Sequence, residues 1–140
     1  MPRADFYLIQ KQRFREEPLL LVCELARKAF DANLPTLVLA RDADQAEQLD
    51  DLLWSFADDA YVPHQIAGDD EDELAPVLIA TPDTDTPIRQ LVINLRDAAV
   101  QGNVDRVLEV VSADDSARGP SRERWKQYKS RGFDLKKHDM

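Results

Sequence analysis

Glycine is scarce in this sequence, and its placement argues against the common nucleotide-binding loops. The chain of 140 residues has only four glycines. None stands in a GxGxxG pattern or in GxxxxGK followed by Ser or Thr, where glycines let the backbone approach phosphates closely. The turn after the first predicted strand, which carries the glycine fingerprint of a dinucleotide-binding fold, has no glycine. We therefore do not expect nucleotide binding in the usual manner.

Cysteine and histidine are also too few for most catalytic or metal sites. The single cysteine, Cys23, excludes an internal disulfide and lies in an apolar stretch, which predicts a buried structural thiol. The only histidines, His64 and His138, cannot supply a zinc site, and no GxSxG elbow is present. The acidic run 69–73 lacks the spacing of a calcium loop, so a solvated loop is favoured. We expect no catalytic site, metal or cofactor, and interpret His64 as structural or as an interface residue.

Long apolar runs are absent as well. No run approaches the ~20 residues of a membrane span, and the amino-terminal end lacks the apolar core of a signal peptide. Together with the lone cysteine, this predicts a soluble, cytoplasmic protein.

Charge is plentiful but uneven. The net charge of −9 argues against broad nucleic-acid binding, because most of the surface repels phosphate. Residues 118–140 nevertheless carry eight Lys or Arg against three Asp or Glu, so this segment is +5 and the rest of the chain is −14. Such asymmetry indicates an interaction site at the basic end.

Apolar runs without alternation predict strands that are covered on both faces. The predicted strands are residues 5–9, 36–40, 77–81, 90–95 and 106–111. One helix is predicted from Pro18 to Asn33, and another begins at Asp42, whose side chain can form a capping pair with Gln45. Residues 97–105 offer at most a short helix. This order predicts an α/β layered domain with a largely parallel sheet, and the length fits one domain over 1–140.

The most basic stretch, residues 121–133, predicts a short helix that ends at Gly132. Cations share an arc of it and aromatic residues lie along the edge of that arc: Arg122, Lys126, Lys129, Trp125 and Tyr128. Such a surface suits a ligand that is both acidic and apolar. The same pattern is also typical of a solvated amphipathic helix whose Trp125 only packs. If the helix starts at Pro120, just after Gly119, Arg118 lies outside the basic row.

Several stretches, in order along the chain, resemble one known family. They are Phe6-Tyr-Leu8, Leu52-Leu-Trp54, Tyr61-Val-Pro-His64, Leu91-Val-Ile-Asn-Leu95 and the segment from Arg122 to Phe133. In combination they are similar to the chi subunit of bacterial DNA polymerase III. The resemblance implies a three-layer α/β/α domain on a five-stranded, mainly parallel sheet, and a non-enzymatic accessory subunit in DNA replication.

The resemblance also implies two protein partners, whereas the acidic charge balance and the absence of a long apolar run predict no direct contact with DNA or membrane. The family binds the psi subunit, which tethers it to the clamp loader, and the acidic C-terminal tail of single-stranded DNA-binding protein (SSB). By motif position, the tail-binding residues are Arg122, Lys126 and Trp125, with Val111 and Trp54 as apolar neighbours. The psi-binding residues are Tyr61, Val62 and Pro63.

Two other functions stay open from the residues alone. A degenerate nucleotide-binding or helicase-like α/β domain would keep a ligand at its strand ends, although the missing glycine loop weighs against it. The other open function is direct binding of single-stranded nucleic acid through the basic helix and its aromatic residues.

Overall fold

The computed structural model describes residues 2–59 and 61–140, and its centre is a seven-stranded sheet. The strands are β1 (Arg3–Leu8), β2 (Thr36–Leu39), β3 (His64–Ile66), β4 (Val77–Ala80), β5 (Leu91–Asn94), β6 (Arg106–Val111) and β7 (Asp134–Asp139). The helices are α1 (Gln12–Glu16), α2 (Leu19–Asp31), α3 (Ala43–Ser55) and α4 (Arg118–Ser130), with 3₁₀ turns at Asp72–Leu74 and Asp115–Ala117. The strand order is β3-β4-β2-β5-β6-β1-β7, and every neighbouring pair is parallel.

Helices cover both faces of the sheet, so the residues of its central strands are almost all buried and most of them are apolar. In β2, Val38 belongs to the core beneath α2 and α3, while Leu37 belongs to the core on the face of α4. Successive side chains of a strand point to opposite faces, which is why a doubly covered strand shows no alternation. The predicted three-layer α/β class is confirmed. None of the helices in the described ranges is long and apolar enough to cross a membrane.

All five predicted strands are present, but the predicted count of five is wrong because both edge strands were missed. β3 has three residues, all half-buried, and β7 has the polar sequence DLKKHD. An edge strand pairs on one side only and is often protected by lysines, so it lacks the apolar run that marks a central strand. The short helix α1 was missed for the same reason, since Phe14 is its only buried residue.

The helix ends follow the sequence signals. The Asp42 side chain accepts a hydrogen bond of 2.8 Å from the Gln45 backbone N–H, and Gln45 Oε1 accepts one of 2.8 Å from Arg41 N–H. Asn33 has φ +59° and follows α2 by two residues, as a left-handed C-terminal cap should. Residues 97–105 form no helix.

Two features that the sequence predicted to be structural are the single cysteine, Cys23, and the acidic run 69–73. Cys23 is fully buried, and burial raises the pKa of its thiol to about 12, so it stays a protonated core residue. The acidic run 69–73 is exposed apart from Asp72, whose carboxylate accepts hydrogen bonds from Gly68 N–H (2.8 Å) and Gln65 Nε2 (2.6 Å). These bonds, that from Gly68 first, lower the pKa of Asp72 and fix the turn that leads into β4.

Candidate functional site

Helix α4 is fixed on the sheet by a buried polar cluster around Glu109 of β6. Glu109 is fully buried; its Oε1 accepts from Arg124 Nε (2.9 Å), and its Oε2 accepts from Tyr128 Oη (2.6 Å) and Asn94 Nδ2 (2.9 Å). Burial raises the pKa of Glu109, and the Arg124 charge and these donors oppose the shift. The Tyr128 hydroxyl in turn accepts from Val100 N–H at 2.8 Å. This cluster sets the rotation of α4 about its axis.

That rotation separates the residues of the basic stretch into inner and outer ones. Arg124 and Tyr128 point inward and are buried, so Tyr128 is not part of an exposed aromatic edge as the sequence suggested. Arg122 and Lys126, two residues before each of them, are exposed. The sequence signal for the inward direction of Arg124 is Glu109, a carboxylate within the largely apolar strand β6. A buried Glu needs a cationic partner, and Arg124 is that partner.

The helix begins at Arg118, which settles the register that Gly119 and Pro120 left open. A 3₁₀ turn at Asp115–Ala117 leads directly into it. Proline is tolerated there because the first-turn N–H groups have no partner within the helix. Arg118 is therefore in line with Arg122 and Lys126, in a row that rises about 6 Å per step along the helix.

Gly132 ends the helix as predicted, through a double hydrogen-bonded cap. Its φ is +84°, its N–H donates to the Lys129 carbonyl (3.1 Å), and Phe133 N–H donates to the Tyr128 carbonyl (3.1 Å). The rings of Phe133 and Tyr128 lie 5.0 Å apart. This is the Schellman arrangement with its hydrophobic contact.

A groove of about 1070 Å³ runs beside α4 at the carboxyl ends of β1 and β6. Its apolar lining includes Leu8, Ile9, Val111 and Trp125, whose indole packs edge-on against Phe6 at 5.1 Å. The charged lining residues are Arg15, Arg118, Arg122, Lys126 and Lys137 against Asp114 and Asp115. We call this surface the basic groove. It offers an apolar floor within a largely cationic rim.

Four of the five predicted tail-binding residues come together in the basic groove, namely Arg122, Lys126, Trp125 and Val111. Trp54 does not: it belongs to α3, on the other face of the sheet, so its predicted grouping with them is wrong. Trp54 is 58% exposed and lies beside Tyr61, also 58% exposed, with 5.3 Å between ring centres. The sequence did not place Trp54 correctly, because the face of the sheet on which α3 packs depends on the strand order, and the sequence does not show that order.

Trp54 instead forms an exposed patch with Tyr61 and the half-buried Pro63, which we call the aromatic patch. Val62 is 1% exposed and anchors this loop in the core. The buried ring of His64 holds the loop to α3: Nδ1 lies 2.6 Å from the Val62 carbonyl oxygen and Nε2 lies 3.1 Å from that of Asp50. His64 therefore has a structural role beneath the patch.

At the carboxyl ends of β2 and β4, where a doubly wound fold can hold a nucleotide, the Arg96 side chain is hydrogen-bonded to backbone carbonyls. Arg96 Nε donates to the carbonyl of Ala40, just past β2 (2.8 Å), and Nη2 donates to the carbonyl of Ala80, the last residue of β4 (3.1 Å). Burial lowers the pKa of Arg96. A guanidinium already bonded to two carbonyls disfavours the nucleotide-binding alternative.

Fold and surface thus define a three-layer α/β protein with a basic, apolar-floored groove, and comparison with known proteins names its family. The model of the family "DNA polymerase III chi subunit, HolC" matches residues 1–136. DNA polymerase III subunit chi of Pseudomonas aeruginosa is 33% identical over 142 aligned positions, covering 100% of this chain and 98% of the relative. The subunit chi of Escherichia coli K12 is 35% identical over 141 positions, covering 96% of each. The chain belongs to the DNA polymerase III chi subunit family.

One solved structure is similar to this chain in fold alone. T4 UvsW superposes with a TM-score of 0.66 at 10% identity, covering 99% of this chain and 41% of that chain. The layered architecture is therefore shared with a protein of low sequence identity.

Proposed function

We propose that this chain is a non-catalytic accessory subunit of the DNA polymerase III holoenzyme, in its clamp-loader complex, that binds the SSB tail in the basic groove and the psi subunit at the aromatic patch. The observation that carries the proposal is the basic groove itself. In the described part of the chain no carboxylate lies within 4.0 Å of the charged nitrogens of Arg122 or Lys126. Two unpaired cations beside an apolar floor, on a protein of net charge −9, favour an acidic and apolar ligand.

The chemistry of an acidic tail fits each part of the groove. Arg122 can hold a carboxylate by two parallel hydrogen bonds, and Lys126 adds a point charge. A terminal apolar side chain can lie on Val111 against the Trp125 indole. The acidic remainder of the chain repels the nucleic acid that SSB coats, so the contact is made with protein and not with DNA.

The aromatic patch supplies the second partner surface in this proposal. Tyr61 and Trp54 expose large rings side by side, as residues at the centre of a protein interface often do, and the half-buried Pro63 follows Tyr61 by two residues on the same loop. Val62 supports the loop from within and does not itself reach the partner. We therefore extend the proposed psi-binding surface from the loop alone to the loop together with Trp54. A cytoplasmic location accompanies this function.

The test of tail binding is titration of a fluorescent acidic peptide with a free apolar C-terminal residue. Arg122→Ala is expected to weaken binding by about 1–3 kcal/mol, the range of charge-assisted hydrogen bonds, and Lys126→Ala by less. Affinity should fall as salt rises, because exposed charges are screened within ~10 Å at 0.1 M.

Lys129→Ala is the matched control, since Lys129 is an exposed cation of the same helix that does not line the groove. Equal losses from K129A and R122A would mean that net charge alone drives binding. If the wild-type protein does not bind the peptide at low salt, the proposal fails. An ATP titration by calorimetry tests the nucleotide-binding alternative, which would be ruled out by the absence of binding.

A further inference from the structure

The cations of the basic groove come from three elements and not from α4 alone. Arg15 of α1 and Lys137 of β7 line the same groove as Arg122 and Lys126. Lys137 pairs in register with Phe6 of β1, whose ring packs against Trp125. Because paired residues of neighbouring strands share a face, the Lys137 side chain lies on the α4 face of the sheet.

The immediate neighbours of these two cations are directed elsewhere. Lys136 is in register with Asp5, on the opposite face of the sheet. Arg13, two residues before Arg15 on α1, points toward α2 and pairs with Glu24 at 3.2 Å. Arg15 and Lys137 thus face the groove while Arg13 and Lys136 do not.

Neither groove-facing charge is neutralised by the chain. Within residues 2–59 and 61–140, no carboxylate lies within 4.0 Å of the Arg15 guanidinium or the Lys137 ammonium, whereas Arg118 is paired with Asp115 at 3.5 Å. Like charges that converge on one groove repel one another unless an anion lies between them. The arrangement therefore favours a ligand with several negative charges.

The length of the α4 row limits how much of such a ligand it can hold. From Arg118 to Lys126 the row rises about 12 Å along the helix, which matches only about four residues of an extended peptide. Acidic residues further from the peptide's end lie beyond the reach of this row. Cations on other elements are then needed to bind them.

We propose that Arg15 and Lys137 form a second set of contacts that binds the acidic residues upstream of the tail's terminus, so that they set the preference for a long acidic tail over a short one. This inference rests on the proposed function, since it concerns the same groove. In it, α4 and the apolar floor hold the terminal residues, and α1 and β7 hold the preceding acids. The occupant is one extended acidic peptide segment.

The experiment compares two labelled peptides by fluorescence anisotropy on the full chain. One has about four residues and matches the α4 row, and the other has about eight residues, the additional ones being aspartates at its amino-terminal end. The double variant Arg15→Ala, Lys137→Ala is measured against the matched double variant Arg13→Ala, Lys136→Ala. Each pair removes two positive charges, so the change in net charge is the same.

For exposed ion pairs, each lost contact is expected to weaken binding of the long peptide about two- to fivefold. R15A/K137A should therefore bind the long peptide about four- to twenty-five-fold more weakly, and the short peptide within about twofold of wild type. The matched variant R13A/K136A should keep both affinities.

The outcomes separate this inference from the proposed function. If wild type binds the short peptide and R15A/K137A leaves the long peptide unaffected, the inference is wrong while the groove assignment survives. Equal losses from the two double variants would also overturn it. If wild type binds neither peptide, the proposed function itself fails. Thermal unfolding of both double variants verifies that each is folded.

Discussion

At the scale of single residues, Asp5 shows how a buried charge is held in this sheet. Its carboxylate accepts hydrogen bonds from Arg3 Nη2 (2.9 Å) and Arg106 Nε (3.0 Å), and His138 Nε2 lies 2.9 Å from it. Burial alone would raise the pKa of Asp5, but hydrogen bonds from Arg3, His138 and Arg106 outweigh it and lower the pKa. The cluster joins β1 to both of its neighbours, β6 and β7.

Replacing Asp5 by Asn should change the acid sensitivity of the fold. In the unfolded chain an Asp titrates near pH 4, and in the folded protein Asp5 titrates lower, so the unfolded chain binds the proton first. Stability contributed by Asp5 is thus present above about pH 4 and is lost as pH falls through the folded pKa. Urea unfolding across this range should show a shallower pH dependence for D5N than for wild type. Asp58→Asn, at an exposed loop position, is the control, and parallel pH profiles for D5N and wild type would contradict the expectation.

Tyr128 gives a second test at this scale. Its hydroxyl donates to Glu109 and accepts from Val100 N–H, so Tyr128→Phe leaves a buried carboxylate and a buried N–H each short of one partner. We expect Y128F to lower the free energy of unfolding by about 1–3 kcal/mol, as measured by urea denaturation. A loss below about 0.5 kcal/mol would show that the cluster rearranges at little cost.

At the scale of elements, α4 is defined by how it is oriented and how it ends. The Glu109 cluster sets which side faces the groove, and the left-handed Gly132 turns the chain from α4 into β7. Both α4 and β7 contribute cations to the basic groove, and the short segment that joins them sets their relative position.

The two glycines of this region should respond in opposite ways to alanine. Gly132 has φ +84°, which strains any residue with a Cβ, so Gly132→Ala should destabilise the protein by about 1 kcal/mol. Gly119 lies in the first turn of α4, where a Cβ would meet no atom within 4 Å, so Gly119→Ala should be neutral or stabilise by up to about 1 kcal/mol. Thermal denaturation compares the two variants. Equal effects would mean that the backbone at Gly132 relaxes.

Elements that bury apolar surface could be predicted from the sequence, and those that do not were missed. Runs such as Leu91–Asn94 identified the central strands because both faces are covered. The DLKKHD sequence of β7 carries no such signal, and without β7 the place of Lys137 in the groove could not be foreseen. Likewise Arg15 lies on a helix with a single buried residue. The sequence therefore predicted the α4 part of the site and missed the parts that other elements contribute.

At the scale of the whole molecule, the basic groove and the aromatic patch lie at opposite corners. The groove lies at the carboxyl ends of β1 and β6, next to α4, whereas the patch lies at the amino end of β3, next to α3. β3 and β1 are separated by five strand spacings, about 24 Å. No residue is shared between the two surfaces.

This separation predicts that the two proposed partners bind independently. The affinity for the acidic peptide should stay within about twofold of its value when psi is present at saturation. The double variant Trp54→Ala, Tyr61→Ala should weaken psi binding and leave peptide binding intact, and R122A should do the reverse. Isothermal titration of each ligand with and without the other measures this. A coupling above about tenfold would require a conformational link between the corners.

The pairing of β7 with β1 also determines where on the molecule a fusion partner or a surface linker would begin. Asp134 N–H donates to the Pro2 carbonyl at one end of this pair, and at the other end Met140 N–H donates to the Leu8 carbonyl (2.9 and 2.8 Å). Leu8 and Gln10, which are hydrogen-bonded to Met140, line the basic groove, so we expect a fusion partner or surface linker that continues from Met140 to begin at the same end of the sheet as the groove and to crowd it. One joined before Pro2 begins at the amino ends of β1 and β7, the opposite end of the strands from the groove, and we expect it to leave the groove open to its ligand.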